Sequence, residues 1–205
     1  MSGEGPSGPD PSAPDPTDLD PSDPDPTDRA AVARLLGRPP GGPFEVVVRS
    51  GDGTPAVIAN APFLSDGTPM PTRYWLVDPD LRDAVSRLES LGGVRQAEAA
   101  VGMDRITAAH TRYAEERDAL IDPDRPGPRP TGGVGGTRQG VKCLHAHLAW
   151  WLAGGADPVG QWTAGKLGLA TAPEEPAPED PAPEDAAPEE PAPEDAAPED
   201  PAPAP

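Results

Sequence analysis

Apolar and polar residues recur along the middle of the chain in a way that predicts a small mixed fold. Residues 29–36 carry a short helical stripe, with Thr27 and Asp28 as capping candidates and Gly37 as the stop. Residues 44–49 (FEVVVR) read as a strand, Ser50 to Gly53 as a turn and residues 56–59 as a second strand, which makes a hairpin. Residues 73–77 supply a third strand. Asp78 followed by Pro79 starts a helix whose Leu81, Ala84, Val85, Leu88 and Leu91 share one face until Gly92 and Gly93 end it. An alanine-rich segment over 94–101 breaks at Gly102. The next helix, over 104–120, turns Ile106, Ala109, Tyr113 and Leu120 inward and sets Arg112 and Glu116 as an exposed pair four apart. A proline-rich loop (122–130), a glycine-rich loop (131–140), a strong helix over 139–153 and a short one opened by Asp157 and Pro158 complete the pattern. The expected class is α+β, a small antiparallel sheet of about three strands packed with four to six helices.

The ends depart from this pattern. Residues 1–28 hold 8 acids, 8 prolines and no Lys or Arg, and residues 173–205 hold 12 acids, 12 prolines and again no base. Such segments lack the apolar residues that would offset the entropy of ordering, so both are expected to be disordered arms around one domain over 29–172. The formal charge of −19 therefore belongs to the arms, because the middle keeps 15 acids against all 16 bases. A near-neutral core with phosphate-repelling arms argues against nucleic-acid binding. No run of 18 apolar residues is present, which argues against a membrane span. With Cys143 as the single cysteine, an intramolecular disulfide and a four-cysteine zinc site are both excluded. The N-terminus has neither the basic nor the apolar region of a secretory signal, so a cytoplasmic protein is expected.

Three runs carry a family resemblance: TPMPTRYWLVDP over 68–79, AAHTRYAEERDAL over 108–120 and GGVGGTRQGVKCLHAH over 132–147. They resemble the bacterial family catalogued as domain of unknown function 501, across about residues 30–165. The resemblance implies no activity and carries over no catalytic residue. Members are often encoded beside enolase, a septum-formation protein and an exopolyphosphatase-like enzyme, which implies a housekeeping role.

Within the last run, Cys143, His145 and His147 offer three possible metal ligands in five residues. On a regular helix, Cys143 and His147 project together while His145 points elsewhere, so one ion cannot reach all three. A strand would place all three on one face, but the apolar stretch after the motif favours helix. A metal, if held, is expected on Cys143, His147 and His110, completed by a carboxylate or water. The plainer account is a buried small thiol with histidines that cap carbonyls or pair with acids. Cys143 paired with a histidine as a nucleophile is a further alternative.

The glycine loop is the stronger lead. Gly133, Gly135, Gly136 and Thr137 precede the helix expected from Gln139, with Arg138 and Lys142 at the same end, a layout that suits an anion. It is not a Walker A loop, since Val141 separates Gly140 from Lys142 and Cys143 stands where a hydroxyl should hold magnesium. A flexible connector, or tight packing of the loop against a helix, is the alternative.

The reading that follows is a small enzyme or sensor for a phosphate-bearing or carboxylate metabolite. The glycine loop, Arg138 and Lys142 bind the anion, and His110, His145 and Cys143 are candidates for proton transfer or nucleophilic attack. The sequence identifies no cofactor. The rival is a non-catalytic adaptor, linked to cell division or housekeeping, whose Trp150, Trp151 and Trp162 bind a protein partner of unknown identity.

Overall fold

The computed structural model describes residues 24–169, so the arm expectations for 1–23 and 173–205 lie outside the described residues. Three helices begin with the same local device, an Asp whose carboxylate caps the first turn and a Pro whose missing N–H is not needed there. In α1 (Pro26–Leu36), Asp25 accepts from the Thr27 N–H at 2.7 Å; this helix starts earlier than Thr27 and Asp28 suggested. In α2 (Pro79–Ser90), Asp78 accepts from the Leu81 N–H at 2.9 Å. In α6 (Pro158–Lys166), Asp157 accepts from the Val159 and Gly160 N–H groups at 2.9 and 3.1 Å.

Strands β1 (Phe44–Arg49), β2 (Pro55–Asn60) and β3 (Tyr74–Leu76) form an antiparallel sheet in the order β1-β2-β3, with a bulge in β1 between Val46 and Arg49. All six residues of β2 are buried, because both faces of the sheet are covered. On one face Ile58 packs with Val32 of α1, Phe44 and Val77. On the other, Val57, Ala59, Tyr74 and Leu76 enter the main core formed with the later helices. Val57 and Ile58 are fully buried, each contributing about 1.5–3 kcal/mol, so the central strand has no polar alternation to display.

The later helices are α3 (Gly93–Val101), α4 (Met103–Asp118), α5 (Leu144–Leu152) and α6, with a single 3₁₀ turn at Val134–Gly136. The α+β expectation therefore holds, with three strands and six α-helices among the described residues. No helix among them is long and apolar enough to cross a membrane.

Helix α4 corrects two readings. Ile106, Ala109 and Tyr113 are buried as expected, but the helix stops at Asp118 and Leu120 is 53% exposed beyond it. Arg112 and Glu116 do not pair with each other. Arg112 donates to the Ala156 carbonyl at 2.9 Å, while Glu116 accepts from the Tyr74 hydroxyl and from the Trp150 indole N–H at 3.0 Å. The larger correction concerns α5, which begins at Leu144 rather than near Gln139. Residues 137–143 run without regular structure, and Cys143 is extended at φ −156°, ψ 147°.

Candidate functional site

Two carboxylates set the start of α5. Glu98 of α3 accepts the Val141 N–H at 2.9 Å, and Glu89 of α2 accepts the Leu144 N–H at 2.6 Å. These donors, which would otherwise suit an external anion, are taken by the protein's own carboxylates. The glycine loop likewise closes on itself. The Gly133 N–H donates to the Thr137 carbonyl at 2.8 Å and the Gly136 N–H to the Gly133 carbonyl at 2.9 Å. Lys142 folds back so that its Nζ donates to the Gly135 carbonyl at 3.2 Å, while Arg138 is exposed with no partner among the described residues. Thr137 uses its hydroxyl on the Gln139 carbonyl at 2.8 Å.

His110 lies beneath this loop. The Val134 N–H donates to His110 Nδ1 at 3.0 Å, and His110 Nε2 stands 2.9 Å from the Gly140 carbonyl, so Nε2 carries the proton and the ring is neutral. Burial, the largest influence, holds its pKa below the usual histidine range. A Cβ on Gly133 would come within 2.4 Å of the His110 Cβ, which explains glycine at that position. Arg117, 1% exposed, fastens the other end of the loop by donating to the Gly132 carbonyl at 2.8 Å.

His147 faces α4 and α6. Its Nδ1 lies 2.7 Å from Asp157 Oδ2, both side chains are buried, and its ring lies 5.7 Å from that of His110. The set Cys143, His147 and His110 is therefore not what converges. Among the described residues, the group whose ligand atoms all lie within 4.8 Å of one another is Glu89, Cys143 and His145. The helix rule that separated Cys143 from His145 fails because Cys143 precedes the helix in an extended conformation, so the turn of 100° per residue does not apply to it.

His145 is the hub of this group. Its Nδ1 stands 3.2 Å from Glu89 Oε1, and its Nε2 stands 3.2 Å from the Arg82 carbonyl and 3.3 Å from Ser86 Oγ. A carboxylate and a carbonyl only accept, so both ring nitrogens are placed to donate, which favours the charged ring. The neighbouring Cys143 side chain raises the His145 pKa most, and Glu89 and the Arg82 carbonyl add to it against desolvation. Arg82, Ser86 and Glu89 were not singled out from the sequence. Their spacing at i, i+4 and i+7 is the readable signal, a polar stripe beside the apolar one on α2.

Cys143 and His145 form part of the wall of a cavity of about 350 Å³ between β3, α2 and α5. Leu36, Trp75, Leu76 and Ala146 make its apolar wall, and Thr72, Tyr74 and Arg82 add polar groups. A larger hollow of about 460 Å³, bounded by Asp25, Asp28, Glu45 and Arg73, contains neither thiol nor imidazole. The thiol and the imidazole therefore line the smaller one.

The family model described as "Protein of unknown function (DUF501)" matches residues 46–165, which include every residue of this group. No curated protein and no solved structure matches the chain.

Proposed function

Since the chain belongs to the family described as "Protein of unknown function (DUF501)", a description that names no reaction, we propose from the site's geometry a small enzyme for a carboxylate- or phosphate-bearing metabolite. The metabolite occupies the cavity between β3, α2 and α5. Cys143 attacks an electrophilic carbon or phosphorus, His145 holds the proton that the thiol gives up and returns it to the leaving group, and Glu89 orients the ring. Water then releases the bound group from Cys143. Arg82 supplies the positive contact for the ligand's anionic end, in place of the glycine loop, whose inner N–H groups are already bonded.

The observation that carries this reading is that Cys143 and His145, whose donor atoms lie within 4.8 Å of each other and of a Glu89 oxygen, line a cavity together with Leu36, Trp75 and Leu76. The adaptor reading has less support. Trp150 is 2% exposed and its N–H is bonded to Glu116, while Trp151 and Trp162 pack against the main core.

Thermal melting of the full chain with millimolar inorganic phosphate, acetate and short monocarboxylates tests the ligand class. At least one should raise the melting temperature, and Arg82→Ala should abolish the increase. An unchanged midpoint across the panel, or an increase that Arg82→Ala retains in full, overturns the assignment of Arg82 and the cavity.

A further inference from the structure

We propose that Glu89, Cys143 and His145 form a three-ligand site for one Zn²⁺, with the fourth position open to the cavity. The inference rests on the reading that this wall is the working site, and it adds the ion the site takes and the state in which the thiol is blocked.

The donor set is one thiolate, one imidazole and one carboxylate. Sulfur and nitrogen donors disfavour the hard ions Mg²⁺ and Ca²⁺ and suit zinc. Zinc bonds of about 2.0–2.3 Å at tetrahedral angles require ligand atoms roughly 3.3–3.7 Å apart. The three side chains already place their donor atoms within 4.8 Å of one another, and His145 Nδ1 is 3.2 Å from Glu89 Oε1.

The surroundings of the three residues point the same way. A zinc-bound histidine commonly donates its other ring N–H to a carbonyl or carboxylate, and His145 Nε2 lies 3.2 Å from the Arg82 carbonyl, which leaves Nδ1 for the metal. The Glu89 carboxylate is fixed by the Leu144 N–H at 2.6 Å and keeps lone pairs for a cation. His145 and Glu89 side chains are 27% and 25% exposed, so the ion has a route in and out. Three protein ligands hold it, which leaves the fourth position to water or to a ligand from the cavity. Occupied, the site turns Cys143 from nucleophile into ligand, and metal and substrate chemistry exclude each other at the same sulfur.

The test uses the full chain, stripped with EDTA and dialysed, in three measurements. Titration with Zn²⁺ against a chromophoric chelator should give one ion per chain, with affinity lowered at least about 10- to 100-fold in Cys143→Ser and in Glu89→Gln. Co²⁺ added to the wild-type chain should give thiolate-to-cobalt charge-transfer absorption that Cys143→Ser lacks, which needs no other variant to fold. One equivalent of Zn²⁺ should protect Cys143 from iodoacetamide, and EDTA should restore the reaction. Zinc bound equally well by both variants places the ion elsewhere, for instance on the acidic arms, and overturns the site. A rapidly alkylated Cys143 that zinc leaves unprotected also removes the metal site, while the thiol reading stands. Tight, Cys143-dependent zinc on a chain whose stripped thiol is sluggish upholds the site and removes the nucleophile.

Discussion

His147 Nδ1 lies 2.7 Å from Asp157 Oδ2 inside the protein, while Asp157 Oδ1 accepts the first two N–H groups of α6. One carboxylate therefore serves as helix cap and as the partner of a buried imidazole. Removing it opens a cap and strands the ring together, and breaking a buried pair costs about 3–5 kcal/mol. Asp157→Ala should lower the unfolding free energy by that amount in urea titration. Asp157→Asn, which still caps, should lose less. A loss under about 1 kcal/mol for Asp157→Ala, the scale of an exposed ion pair, contradicts the role given to this pair.

The Asp–Pro helix starts at Asp78 and Asp157 were legible because each device is local, whereas Asp25 before Pro26 was hidden among the Asp-Pro repeats of the arm and the cap was expected at Thr27 and Asp28. The start of α5 was not legible either, because residues 139–143 contain no local breaker beyond Gly140. It is set by Glu98 and Glu89, which lie 43 and 55 residues from the N–H groups they accept. That misplaced start concealed the pairing of Cys143 with His145, since a cysteine inside the helix would face His147. The double burial of β2 was equally invisible, because the short apolar run over 56–59 does not reveal that α1 covers its second face.

The glycine loop should tolerate substitution unevenly. A Cβ on Gly133 meets the His110 Cβ at 2.4 Å, whereas one on Gly51 in the hairpin turn meets nothing within 4 Å. Overpacking of this kind costs about 1–3 kcal/mol. Gly133→Ala should therefore lower the melting temperature clearly and Gly51→Ala hardly at all. Equal midpoints for the two variants would show that the loop yields and does not grip His110.

Two histidines should give opposing pH dependences of stability. His110 has a lowered pKa in the fold, so its contribution is present above the unfolded value of about 6.5 and is lost as pH falls through the folded value. His145 has a raised pKa, so its contribution is fully present below about 6.5 and is lost as pH rises through the folded value. In urea titrations with EDTA between about pH 5.5 and 8, His145→Gln should steepen the loss of stability toward acid. His110→Gln should leave stability that falls toward alkali. Wild-type slopes in both variants contradict these assignments.

The Glu116 side chain joins β3 to α5 by accepting from the Tyr74 hydroxyl and the Trp150 indole. Glu116→Ala leaves both donors without their acceptor and should cost about 1–3 kcal/mol, with a shift in tryptophan fluorescence. An unchanged spectrum and midpoint would indicate that neither donor depends on Glu116.

The central claim is that Cys143 works with His145 and Glu89 at the cavity wall. Because Cys143 is the only cysteine in the chain, the rate of iodoacetamide alkylation at pH 7 in EDTA reports that site alone. The stripped protein should react at least about tenfold faster than N-acetylcysteine, the margin expected of a thiol with a proton acceptor beside it, and His145→Gln and Glu89→Gln should return the rate toward that of the free thiol. A wild-type rate no faster than N-acetylcysteine, or one that His145→Gln leaves unchanged, contradicts the claim.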